Sequence, residues 1–341
     1  MKRLFLFASL MLGITTAHAE GETLNLYNWS DYMPERIIDL FSRETGIKVN
    51  YITYESNEEM YDNVKASNGE YDLIVPSTYY VSKMQAEGLL QEIQKTRLKN
   101  YENLDERLLN LPHDPRSEYS IPYLWGTTAL FVDNAQVKTG KLTSWGDLWR
   151  PEFKGKLLLT DDMREVFHVA LRTLGYSGNS TNPAEIEAAY KRLLKLKPSI
   201  AEFNSEEPRD AITEGRAVAG MIWNGEAHLA KQDRFTVSYV YPKEGAVLWI
   251  DSLVIPKNAR NAEAAHRFID YLLRPSMSSI ASESIGYATP NTKALKLIDP
   301  WVRGSNTVYP DDQTLANAEL QVDVGEALPI YEKYWALLRG E

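Results

Sequence analysis

Apolar and polar positions along this chain fall into two series of alternating strand-like and helix-like segments. Residues 23–27 (TLNLY) read as a short strand, and after Pro34 the apolar positions Ile37, Ile38, Leu40 and Phe41 recur at helical spacing as far as Gly46. A strand at 48–54 follows, then a helix from about 57 to 66, then a buried strand, YDLIV at 71–75, closed by Pro76. This alternation predicts an α/β unit around a largely parallel sheet. A second series, from about 127 to 249, has strands at 156–159 and 218–223 and helices at 163–174 and 183–196, and predicts a second α/β unit. The strand-like SLVIP at 252–256 and helices at 262–273 and 324–338 belong to neither series on pattern alone. No internal repeat, low-complexity tract or long Gly/Ser or Pro linker intervenes, so short crossovers are expected to join the units.

The N-terminus adds a compartment. Lys2 and Arg3 precede an apolar run at 4–14, and Ala17-His18-Ala19 supplies small residues at cleavage positions, the pattern of a secretory signal peptide over residues 1–19. The run is too short to span a bilayer, and no later stretch reaches the roughly 20 apolar residues of a membrane helix. A periplasmic chain starting near Glu20 is expected. With 37 basic and 47 acidic residues the formal charge is −10, and loss of Lys2 and Arg3 with the leader takes it to −12. That balance excludes nucleic acid as a partner and suits either simple solubility or attraction of a cation. Absence of cysteine excludes disulfides, a thiolate nucleophile and cysteine metal sites. A chain of 341 residues exceeds the usual single core, so two lobes are expected.

Candidate chemistry gathers where predicted strands end, the edge of an open α/β sheet that faces a ligand crevice. YNWSDY (27–32) follows the first strand, PSTYY (76–80) the third, and TDDMREVF (160–167) a strand of the second series. Trp223, Trp249, Asp251 and Tyr287 lie in similar surroundings. Carboxylates beside aromatic rings suit a cation that carries methylenes. Ring faces attract an ammonium by roughly 0.5 to 2 kcal/mol, and each buried CH₂ contributes about 0.8 kcal/mol. Each feature also has a structural reading: Asp162 and Glu165 fit a helix capping box, each tryptophan fits a core, and Asp251, an acid inside an apolar strand, fits a buried ion pair. No GxSxG, HExxH, P-loop or GxGxxG occurs. His113 and His168 lack metal-ligand spacing and are expected at the surface or on a helix face. Neither a cofactor nor a metal is expected.

Ordered through the chain, YNWSDY, ETGIKV, YDLIVPSTYY, SIPYLWG, LLLTDDMREVF, LGYSGN, AEFNS, GMIWNG, YPKEGAVLWIDSL and IGYATPN resemble the spermidine/putrescine-binding periplasmic proteins of polyamine ABC transporters, within the extracellular solute-binding proteins of family 1. The likeness covers essentially the whole chain after the leader and is nearest to spermidine-preferring members. It implies a two-lobed α/β binding protein of the type II, Venus-flytrap kind, each lobe a mixed or mainly parallel sheet flanked by helices, with ligand in the interlobe cleft. One lobe would hold residues 20–125 and 251–295, the other 126–250 and 296–341. The implied ligand cage is Trp29, Tyr32, Tyr79, Trp223, Trp249 and Tyr287. Asp31, Asp162, Glu165 and Asp251 would supply carboxylates, and Ser30, Ser77, Ser205 and Gln321 polar contacts. In spermidine binders a Glu stands where this chain has Asp31 and a Thr where it has Ser30, and an aromatic precedes Gln321 where this chain has Leu320. These changes leave the preference among putrescine, spermidine and norspermidine open. The implied partner is an inner-membrane permease, and a monomer is the default. Two other readings remain at this point: a polyamine sensor docking on a membrane receptor, and a hydrolase using Asp162 and Glu165 as acid and base.

Overall fold

The computed structural model describes residues 22–137 and 140–340, so the predicted leader lies outside the described residues. Among the described residues, ten strands form two sheets. The smaller has the order β2-β1-β3, built from β1 (Thr23–Trp29), β2 (Lys48–Tyr54) and β3 (Leu73–Ile74), all parallel. The first two helices, α1 (Glu35–Thr45) and α2 (Asn57–Ala66), cross between these strands, and α3 (Thr78–Ala86) follows the third. Gly46 ends α1 in the left-handed conformation at φ 75°, which glycine adopts without a Cβ penalty.

The larger sheet is mixed. Its strands are β4 (Ile121–Asp133), β5 (Leu157–Leu159), β6 (Ile200–Phe203), β7 (Ala219–Trp223), β8 (Val237–Val240), β9 (Val247–Leu253) and β10 (Glu319–Leu320). Their order is β10-β9-β4-β7-β5-β6, with β8 also paired to β4. The 13-residue β4, on which no predicted strand fell, is antiparallel to β7, β8 and β9. The strand expected at 252–256 instead begins at Val247. Its far end couples the two sheets, since Val254 exchanges backbone hydrogen bonds with Ile74, and Ser252 N donates to Pro76 O.

Helices cover both faces of each sheet, as parallel strands buried on two sides require. One apolar cluster joins Leu24, Leu26 and Leu73 to α1, to α8 (Ala262–Leu272) and to α9 (Pro275–Ile285); Tyr27, Met60 and Tyr80 belong to a second on the other face. On the larger sheet, α4 (Met163–Thr173), α5 (Pro183–Leu196) and a C-terminal helix (Leu328–Arg339) pack on one side, while α6 (Pro208–Thr213) and α7 (Asn224–Asp233) pack on the other. The fold is thus α/β with two lobes.

His113 departs from the expectation of a surface or helix-face position, whereas His168 meets its helix-face alternative on α4, though buried. They are only 5% and 2% exposed. Desolvation lowers their pKa values to about 4 and about 3, so both are neutral core groups at neutral pH.

Candidate ligand-binding site

The ends of β1, β3, β5 and β7 and the middle of β9 converge on one cavity of about 520 Å³. Thirteen of the fourteen candidate residues line it: Trp29, Ser30, Asp31, Tyr32, Ser77, Asp162, Glu165, Ser205, Trp223, Trp249, Asp251, Tyr287 and Gln321. Tyr79 is not among the lining residues. Its ring lies a layer behind, where its hydroxyl accepts from Asn57 Nδ2 at 3.1 Å.

Asp251 is 6% exposed and takes hydrogen bonds from two neutral hydroxyls, Ser77 Oγ at 2.6 Å and Tyr32 Oη at 2.8 Å. Ser77 is the N-cap residue of α3, yet its side chain makes no cap bond: its Oγ accepts from Asn57 Nδ2 and donates to Asp251 instead. Burial pushes the Asp251 carboxyl up to about 6, and those two hydrogen bonds only partly offset the effect. Among the described residues, no lysine or arginine forms an ion pair with Asp251, Asp162 or Glu165. The structural alternative of a buried ion pair at Asp251 is therefore not what the fold builds.

Asp162 and Glu165 divide the two roles their spacing suggested. Asp162 caps α4, accepting from Glu165 N at 2.8 Å, but the Glu165 side chain does not complete a box. It turns inward to accept from Thr128 Oγ1 at 2.5 Å, Thr160 Oγ1 at 3.1 Å and Trp223 Nε1 at 3.2 Å. Trp249 Nε1 donates in turn to Thr128 Oγ1 at 3.2 Å, so two cage tryptophans are oriented by one polar network. Desolvation, and next the charge of Asp162, push the Glu165 carboxyl up to about 8. Burial also raises Asp162 itself.

Three rings of the aromatic wall pack in series. The ring of Tyr287 lies 5.0 Å from that of Trp249 and 5.6 Å from that of Tyr32, while Trp29 is anchored through its Nε1 to Val75 O at 2.9 Å. Gln321 is 4% exposed and its Nε2 is without a partner among the described residues, so a donor is available at the wall. Thr78 Oγ1 bonds Gln321 O at 2.7 Å, tying the start of α3 to β10 across the sheets.

Sequence reasoning missed Glu55, Asn57, Glu206, Glu207, Arg209, Asp210 and Glu226, which also line the cavity. With them the lining holds nine carboxylic side chains against one arginine. Asn57 braces the site by donating to Ser77 Oγ at 3.2 Å, a role set by tertiary contact and carried by no local motif. Among the described residues, no cluster of three or more His, Asp or Glu has the arrangement of a metal site. Unpaired buried acids beside ring faces favour an organic cation with an apolar middle.

Known proteins are similar to this chain in sequence and fold. The family model for the bacterial extracellular solute-binding protein matches residues 36–307. The spermidine/putrescine-binding periplasmic protein of Escherichia coli K12 is 52% identical, the match covering 99% of this chain and 98% of that one. The putrescine-binding periplasmic protein PotF of the same strain is 34% identical over 89% of this chain and 87% of its own. The crystal structure of the TpPotD lipoprotein of Treponema pallidum superposes with a TM-score of 0.84 at 28% identity, covering 94% of this chain and all of that one. With matches that span nearly its full length, the chain belongs to the bacterial extracellular solute-binding proteins.

Proposed function

We propose that this protein captures a linear polyamine in the cavity between its two lobes, a spermidine-type triamine in preference to putrescine, and delivers it in the periplasm to the permease of an ABC transporter. The observation that carries the reading is Asp251: a buried carboxylate bonded only by hydroxyls, on a cavity walled by five aromatic residues. The likeness to spermidine/putrescine-binding relatives supports it. Asp251 would take one ammonium group, and Asp162 with Glu165 another. The rings of Trp29, Tyr32, Trp223, Trp249 and Tyr287 would cover the methylenes between them.

Burying about seven methylenes yields roughly 5 to 6 kcal/mol. Ordering and desolvation offset part of this, and charge pairing restores enough for affinity of about −8 kcal/mol, a micromolar Kd or tighter. Without a cation, closing the lobes would press the carboxylates of both together, so ligand shifts the population towards the closed form by binding it better. The predicted leader supports export to the periplasm. The sensor reading has no support among the relatives, and the hydrolase reading fails on the family, which is one of solute-binding proteins.

Calorimetry of refolded, ligand-stripped protein with spermidine, norspermidine, putrescine and maltose tests this. Micromolar or tighter binding of a polyamine and none of maltose is expected. No heat with any polyamine would overturn the ligand assignment.

A further inference from the structure

Two glycines lie behind the aromatic wall, and neither is required by its backbone conformation. Gly225, the second residue of α7, and Gly126, in β4, both have an ordinary backbone conformation with no positive φ. What both positions require is the absence of a side chain. A Cβ at Gly225 would stand 2.4 Å from Cε1 of Tyr287, with two more ring atoms at 2.6 and 2.7 Å, far inside the separation of about 3.5 to 4.0 Å at which carbon atoms rest. A Cβ at Gly126 would meet Asn224 Oδ1 first and then two ring carbons of Trp249 at 2.6 Å.

The Tyr287 ring is closely packed on its other sides. Tyr287 is 4% exposed and meets Trp249 edge-on, and its carbonyl is held by Ser282 Oγ at 2.6 Å. Behind it, Gly286 at φ 84° brings its own backbone to the same helix start, where a Cβ would lie 3.3 Å from Gly225 Cα. A ring displaced from this seat moves into the cavity.

We propose that Gly225 is a positioning residue of the binding site: its missing side chain seats the Tyr287 ring and so sets the width of the cavity, as Gly126 does for Trp249. The binding readout rests on the polyamine reading above, whereas the seat itself does not.

Gly225→Ala tests it. Alanine is the better helix former, so a merely structural role predicts unchanged binding. The seat predicts a spermidine Kd weakened at least fivefold and, in the crystal structure of the ligand-free variant, a Tyr287 ring shifted by 1 Å or more. In a Tyr287→Leu background the same alanine should change Kd less than twofold, because the clash has been removed and the two effects are not additive. An unmoved ring, or a Kd change under fivefold, overturns the proposal. Should Gly225→Ala not fold, the double variant is expected to do so, and its failure also overturns it. Loss of polyamine binding by the parent chain would sink the ligand reading alone, leaving ring displacement to decide the seat.

Discussion

At Asp251 a carboxylate is held out of water with only hydroxyls for company, a state that costs free energy until a cation arrives. Asp251→Ala is therefore expected to weaken spermidine binding by about 3 to 5 kcal/mol, more than a hundredfold in Kd, because the ligand's ammonium is left buried and unpaired. Retention of affinity within tenfold would remove Asp251 from the ligand site. The pH dependence has a definite sign. Free Asp251 titrates at about 6 and free Glu165 at about 8, and a bound cation stabilises both carboxylates, so binding at pH 7 displaces protons. Affinity should rise with pH through that interval and fall at least tenfold by pH 5.5, while the ligand amines, with ordinary values near about 10, stay charged throughout. Calorimetry in buffers of different ionisation enthalpy would report the released protons, and flat affinity from pH 5.5 to 8.5 would count against the assignment.

Among the elements, α4 carries two functions at one terminus. Asp162 caps the helix through Glu165 N and also lines the cavity with its charge. Asparagine caps about as well as aspartate, whereas alanine forfeits about 1 kcal/mol. Asp162→Asn should thus hold thermal stability within about 2 °C of the parent yet weaken polyamine binding at least tenfold. Parent-like affinity in that variant would leave Asp162 as a cap and nothing more. Ser77 makes a parallel case at α3, where the cap position has been diverted to orient Asp251.

For the molecule as a whole, the same acids make the ligand-free state sensitive to alkali. Glu165 has a folded pKa above its unfolded value, so the stability it permits is present below about pH 4.5 and is lost as pH rises through about 8. Glu58, pushed up to about 7 by burial and by Asp162, acts in the same direction. His113 and His168, held neutral, act oppositely and only below their unfolded value of about 6.5. Between pH 6.5 and 8.5 the melting temperature of the ligand-free protein is therefore expected to decline, and the decline should shrink in Glu165→Gln. An equal slope in the variant would show that Glu165 does not titrate there. Spermidine at a hundred times Kd should add about 2.7 kcal/mol of stability, read as a rise in melting temperature of several degrees that maltose does not produce.

Local pattern by itself determined the strand at 48–54 and the helix at 57–66, which coincide with β2 and α2, because their periodicity and caps act over a few residues. It also marked strand ends rich in aromatic and acidic residues, and the resemblance turned these into named positions. It gave no hint of β4, since IPYLWGTTALFVD is buried almost throughout and shows no alternation, and Pro122 and Gly126 argue locally against a strand. Packing between helices covers that strand on both faces, so only the assembled sheet reveals it. The burial of the histidines, the retreat of Tyr79 behind Asn57, the turn of Glu165 towards Thr128 and the two glycine seats likewise depend on contacts between segments far apart in sequence. Spacing along a chain reports which residues share a face. Which faces meet around a cavity is decided by long-range packing, and the local signal carries no measure of it.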